Sequence, residues 1–173
     1  MVQSTKSSYL TPLIAVFLRN PMELDSFDLA ILRLLQDDNR LTSEAIGVQV
    51  GLSPTACQRR MKRLRAEGAI AKDCAVVSPE LVGGRMTLIV TIVLERGRAD
   101  IVDAFKRQVQ AVPEIQQCYY VTGEHDFVLI VTARDIAEYE RLTRRVFYGN
   151  PNIQKFNTIV AMERVKTSLA IPL

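Results

Sequence analysis

The 173-residue sequence has no tryptophan, a single histidine and only three cysteines. Cys57, Cys74 and Cys118 are scattered without a short paired spacing, which argues against a zinc site and a disulfide framework and suits a reducing cytoplasm. There is no nucleophile-base-acid set, no phosphate-cradling glycine loop and no metal-ligand spacing, so no cofactor or metal is expected. No apolar run reaches the ~18–20 residues that span a bilayer, and no membrane partner is expected. The nearest approach is Leu13-Ile14-Ala15-Val16-Phe17-Leu18, preceded by Lys6. It lacks a small-residue cleavage pattern, and Arg19-Asn20-Pro21 follows directly, so secretion is disfavoured. Internal repeats and low-complexity tracts are missing too, and glycine and proline contents are ordinary, which leaves a globular protein rather than a fibrous or disordered one.

What is present is a focused charge. Ser53 to Asp73 carries six cations against two anions, whereas Met22 to Gly84 as a whole carries eight cations and nine anions. The net charge of +3 says little about partners, but its concentration on one element points to a polyanion. The length allows two small domains.

Periodicity locates the elements. Leu24, Phe27, Leu29, Ile31, Leu32 and Leu35 predict a helix over 25–36, capped by Asp25 with Asp28 in its first turn. A polar break, Asp37 to Arg40, precedes a short helix over 43–50 that is opened by Thr42 or Ser43 and closed by Gly51. Ser53-Pro54 then starts a third helix, because proline at the first position gives up only an N–H that would be unpaired. On it Cys57, Met61 and Leu64 make one buried stripe, which turns Thr55, Gln58, Arg59, Lys62 and Arg63 outward. Arg60 lies closer to the stripe and is placed to bind an acid of its own domain. Gly68 ends this helix, and an extended stretch runs from Ile70 to Val77. Ser78-Pro79-Glu80 and Gly83-Gly84 supply linker turns.

The second half alternates at a strand period from Met86 to Leu94, is helical through Ile101, Val102, Phe105, Val109 and Val112, and breaks at Pro113. Strands over 115–122 and 127–133 flank the turn Gly123-Glu124-His125-Asp126. A helix over 135–147 with Ile136, Tyr139, Leu142 and Val146 inward, a break at Gly149-Asn150-Pro151, and a last strand over 153–165 complete a βαββαβ order. Tyr119 and Tyr120 point to opposite faces of their strand, one to the sheet core and one towards an interface. The expected class is therefore α+β: an N-terminal all-α, winged helix-turn-helix domain and a ferredoxin-like domain. The segments are an accessory leader over 1–21, a helix-turn-helix over 22–72, a linker over 73–84 and the second domain over 85–173.

A short glycine-containing turn between two helices, the second of them basic, is the pattern that enters the major groove of DNA. Thr55, Gln58 and Arg59 are the expected base readers, since arginine suits guanine and glutamine suits adenine. Lys62, Arg63 and Arg40 are expected at phosphates, and Ser53 and Pro54 at the start of the reading helix.

Leu24-Asp25 with Asp28 and Ile31-Leu32, Gly51-Leu52-Ser53-Pro54 with Cys57 and Arg60, Gly68-Ala69-Ile70, Val121-Thr122-Gly123 with Asp126-Phe127, and Val165-Lys166 occur in one order. In that ordered set the chain resembles the leucine-responsive and asparagine-responsive, or Lrp/AsnC, regulators over Met22 to Leu173. The resemblance implies homodimers that assemble to tetramers or octamers, binding to a pseudo-palindromic site in double-stranded DNA, and control by an amino acid held between dimers. It places that effector near Gly123, Glu124, His125 and Asp126 and near Phe156 and Thr158. Backbone N–H groups at Gly123 and the Asp126 carboxylate suit a zwitterion, although glycine and aspartate are equally the residues of a plain turn. Glu124 and His125 either set specificity or have no role. Two other readings compete. Some tetrapyrrole decarboxylases are similar in both domains but rely on histidines and basic residues around the tetrapyrrole, which a single histidine disfavours, and a ligand sensor without DNA binding would not need the intact basic helix.

Overall fold

The computed structural model describes residues 23–95 and 98–173, so the expected leader over 1–21 lies outside the described residues. The chain divides into two compact units. The first holds the described residues up to Ala75 together with Ser168–Leu173, and the second is Val76–Thr167. The last six residues, expected with the second domain, thus belong with the first.

In the first unit, helices α1 (Ser26–Asp37), α2 (Ser43–Val50) and α3 (Pro54–Ala66) enclose Ile31, Leu32, Leu35, Ile46, Cys57 and Leu64. Met61 packs against this cluster from a half-buried position. Each helix starts where a short polar side chain satisfies an unpaired N–H. Asp25 and Asp28 form a reciprocal capping box on α1, Thr42 caps α2, and Ser53 caps α3 with Pro54 behind it. Gly51 closes α2 at φ 74°, in the left-handed region that the turn requires. The extended stretch after α3 forms no paired strand, so among the described residues there is no wing.

The second unit is a four-stranded antiparallel sheet of order β2-β3-β1-β4, built from β1 (Met86–Leu94), β2 (Ile115–Tyr120), β3 (Phe127–Ala133) and β4 (Ile153–Val160). Helices α4 (Ala99–Gln110) and α5 (Ile136–Thr143) cover one face. The core is the inward set Leu88, Val90, Ile92 and Leu94 of β1 against Phe127, Leu129 and Val131 of β3 and Phe105 and Leu142 of the helices. The opposite face presents half-buried Ile89, Thr91, Val93, Val128 and Ile130, with Tyr119 and Ile159 exposed. Tyr120 turns to the helix side and packs on Phe127, so the two tyrosines do take opposite faces.

Three boundaries differ from expectation. The strand expected to reach Val165 ends at Val160, because β1, its only neighbour among the described residues, begins at Met86 and the last ladder bond is Ala161 N–H to the Thr87 carbonyl. The strand expected to reach Thr122 ends at Tyr120, where Val121 N–H bonds the Asp126 carbonyl and closes the hairpin. The helix expected to run to Phe147 widens into a π turn over Arg144–Tyr148, where the Gln108 side chain donates to the Val146 carbonyl. Ile136, expected inward, opens α5 ahead of the covered stripe and is exposed.

One helical glycine has a packing role. A Cβ at Gly47 would stand 2.5 Å from the Leu52 carbonyl oxygen, and the Gly47 carbonyl accepts both Gly51 and Leu52 N–H. Alanine there gains about 1 kcal/mol of helix propensity but must push the turn away, an overpacking cost of ~1–3 kcal/mol. We expect Gly47→Ala to lower the thermal midpoint of the first unit by roughly 5–10 °C. A midpoint equal to that of the unaltered chain would contradict the tight approach of the turn.

Candidate nucleic-acid interface and ligand-binding region

Helix α3 has two working faces. On the outer one Thr55, Gln58, Arg59 and Lys62 are all exposed, and Gln58, Arg59 and Lys62 have no hydrogen-bond or ion-pair partner among the described residues. Ser53 and Pro54, at the exposed start of the helix, are occupied in forming it, the Ser53 hydroxyl accepting Ala56 N–H at 3.3 Å.

The inner face is held by acid. Asp28 on α1 is 1% exposed, and its Oδ1 accepts Arg60 Nη1 at 2.8 Å while Oδ2 accepts Arg63 Nη2. Arg60 also reaches Asp25 at 2.7 Å and lies over the Phe27 ring at 5.5 Å. Arg60 thus binds acids of its own unit, as its place near the stripe suggested. Arg63, expected outward at phosphate, instead follows Arg60 one turn along the same face and turns to Asp28, with its Nε buried and unpartnered among the described residues. Burial pushes the Asp28 carboxyl up, but the hydrogen bonds from Arg60, Arg63 and the Asp25 N–H outweigh it and hold it below the usual 3.8. Arg40 is exposed as a phosphate contact requires, yet its guanidinium lies across Asp38, which Arg40's side-chain hydrogen bonds lower to about 2.

In the second unit the hairpin residues Gly123, Glu124, His125 and Asp126 stay together. Gly123 adopts φ 116°, which favours glycine. Asp126 is engaged by the sheet, since Oδ2 accepts Leu94 N–H at 2.8 Å and its own N–H donates to the Ile92 carbonyl at 2.8 Å. His125 is half-buried with Nδ1 unpartnered among the described residues. Phe156 and Phe127 both pair with Ile92, which places Phe156 at the hairpin end of the sheet, two strand spacings or about 10 Å across from β3. It packs on Phe147 and Tyr148. Thr158 lies one inward position farther along β4 and shares a hydrogen bond with the Tyr139 hydroxyl. Phe156 and Thr158 thus lie on β4, across β1 from the strand that leaves the hairpin. Beside the hairpin, an open groove of about 430 Å³ runs between α4 and β2, lined by Lys106, Val109, Gln110, Ile115, Cys118 and Tyr120. Among the described residues no helix is long and apolar enough to cross a membrane, and no cluster of acids, cysteines and histidine could hold a metal.

Residues 24–65 match the AsnC-type helix-turn-helix domain, and residues 87–171 match the Lrp/AsnC ligand binding domain. The chain is 55% identical over 152 residues to the HTH-type transcriptional regulator y4tD of Sinorhizobium fredii, covering 88% of this chain and 90% of that one. It is 38% identical over 143 residues to the leucine-responsive regulatory protein of Haemophilus influenzae, covering 83% and 86%. A transcriptional regulator of Neisseria meningitidis, solved as a complex with L-Met, superposes at a TM-score of 0.79 with 27% identity, over 87% of this chain and 97% of that one. Three capped helices with a free basic face, joined to a ferredoxin-like sheet, define a DNA-binding transcriptional regulator. The chain belongs to the Lrp/AsnC family.

Sequence reasoning missed Gly47 and the destination of Arg63. The signal for the second was available in part, since Arg60 and Arg63 are one turn apart and Asp25 and Asp28 are spaced to meet them. Breaking this network by Asp28→Asn should cost about 2–3 kcal/mol, allowing for the partial exposure of both guanidinium groups. Because the folded carboxyl is held below its unfolded value, its contribution is present above pH ~4 and is lost as pH falls through the lowered folded value. Chemical denaturation of both proteins from neutral to acid should show their difference narrowing only below about pH 4. A difference constant across that range would refute the assignment.

Proposed function

We propose that Thr55, Gln58 and Arg59 read base edges in the major groove, that Lys62 meets phosphate with Arg40 beside it, and that a homodimer presents two such helices to a pseudo-palindromic site. The observation that carries this reading is the division of α3: Arg60 and Arg63 are consumed by Asp28 behind the helix, while Gln58, Arg59 and Lys62 have nothing among the described residues to bind. A solvated basic face of a structural helix has no need of such a division. The half-buried apolar row on the uncovered sheet face supports the dimer, since a second sheet is the natural cover for such a surface.

The effector in this reading is an amino acid held by the hairpin at 123–126, with Phe156 and Thr158 on the edge strand β4, the site being completed between dimers that assemble to tetramers or octamers. The similarity to a leucine-responsive protein and to a regulator solved with L-Met supports the ligand class.

A mobility shift on a duplex selected from random sequence tests the first part. Arg59→Ala should weaken binding by ~1–3 kcal/mol and relax base preference at one position. Lys62→Ala should weaken all sequences alike and reduce the salt slope by about one per contact. Equal affinity of Arg59→Ala and the unaltered chain at moderate salt would remove Arg59 from the reading.

The second part is tested by thermal shift with L-leucine, L-methionine and the remaining amino acids, because a ligand of the folded form raises the midpoint. Asp126→Asn is the informative variant: it keeps an acceptor for Leu94 N–H and loses the charge offered to an ammonium group. We expect it to abolish the shift, and an identical shift would exclude the carboxylate from the site.

A further inference from the structure

The segment after the sheet is anchored in an unusual way. Ile171 N–H donates to Gln36 Oε1 at 2.7 Å, and Gln36 Nε2 donates to the Ile171 carbonyl at 3.0 Å. One side-chain amide therefore serves both polar groups of one residue, as a neighbouring β-strand would. That is possible only where the residue is extended, since only then do its N–H and C=O point the same way. Pro172 favours this geometry, because the residue before a proline is biased to extended backbone. Two residues on, Arg33 Nε donates to the Leu173 carbonyl at 2.7 Å. Arg33 and Gln36 are three apart on α1 and share its outer face, so the pair grips an extended segment running antiparallel to the helix. Ser168 Oγ accepts Ala170 N–H at 3.1 Å and sets the segment's entry. All these contacts are to main-chain atoms.

We propose that Arg33 and Gln36 form a docking surface for the chain's own segment Ser168–Leu173, and that this strap tethers the DNA-binding unit at a second point so that two recognition helices meet paired half-sites at a fixed spacing. The inference rests on the dimeric reading above. The polypeptide leaves the first unit after Ala75 and returns to it at Ser168. A unit joined through one flexible link samples many orientations, and a second link removes most of them before DNA is met. The gain is in effective concentration: once one helix is bound, its partner is already near the second half-site.

The test compares Gln36→Ala and Pro172→Gly, both in the full chain, on duplexes carrying one or two half-sites. Pro172→Gly alters the strap and leaves α1 untouched, so it separates tethering from support of the helix, and circular dichroism checks that each variant is folded. Expected is unchanged affinity for the single half-site and an approximately tenfold loss on the paired site in both variants. Equal loss on both duplexes would overturn the tether in favour of simple helix support. Unchanged binding to both would overturn it outright. If the unaltered chain itself shows no preference for paired half-sites, the dimeric reading and the strap fall together, whereas a preference that both variants retain removes the strap alone.

Discussion

A carboxylate with almost no access to water, placed between two guanidinium groups, is the constraint on which the first unit depends. Without its partners, a buried Asp28 would be too costly to keep ionised, so α1 and α3 are bound to a single arrangement. The hydrophobic cluster of Ile31, Leu35, Cys57 and Leu64 would tolerate some rotation of one helix on another, because apolar contacts have little direction. Two charge-assisted hydrogen bonds to opposite oxygens of one group do not. The same contacts sort the charges of α3. Arg60 and Arg63 balance acids of α1, Arg65 pairs with Asp73 at 2.9 Å, and what remains for a partner is the short row containing Arg59 and Lys62.

The second unit solves a different problem with the same economy. Its sheet is asymmetric: one face is sealed by α4 and α5, and the other leaves its side chains half-buried or exposed. Asp126 joins this sheet to its hairpin by accepting the last N–H of β1, so a residue attractive as a ligand contact is also a fastening. The π turn at Arg144–Tyr148 has a related role, because it brings Phe147 and Tyr148 onto Phe156, with Gln108 taking a carbonyl that the wider turn leaves available.

Most of the architecture was legible because it rests on local rules. Ser53-Pro54, Asp25 with Asp28, and Gly51 act within a few residues of themselves, and the change from helical to strand period separates the units. What escaped was non-local. Periodicity places Arg63 off the Cys57–Met61–Leu64 stripe but does not reveal that α1 brings an acid to meet it. Gly47 reads as a tolerated helical glycine until the Leu52 carbonyl is seen against it. The end of β4 is decided by where β1 starts, and the tail's association with the first unit by a side-chain amide 135 residues away in sequence. The candidate effector residues rest on a family motif, because a ligand's contacts leave no local pattern in the periodicity of the chain.

The uncovered side of the sheet carries a consequence beyond geometry. In the proposed dimer, Ile89, Val93, Val128 and Ile130 give each copy apolar area for a second copy to cover, so that assembly would follow mass action and the paired fraction would rise with the amount of protein made. A regulator paired through such a surface would read its own abundance. Halving its synthesis would then lower the supply of two-headed molecules by more than half, a dose response carried by a row of β-branched side chains on a different unit from the proposed reading helix.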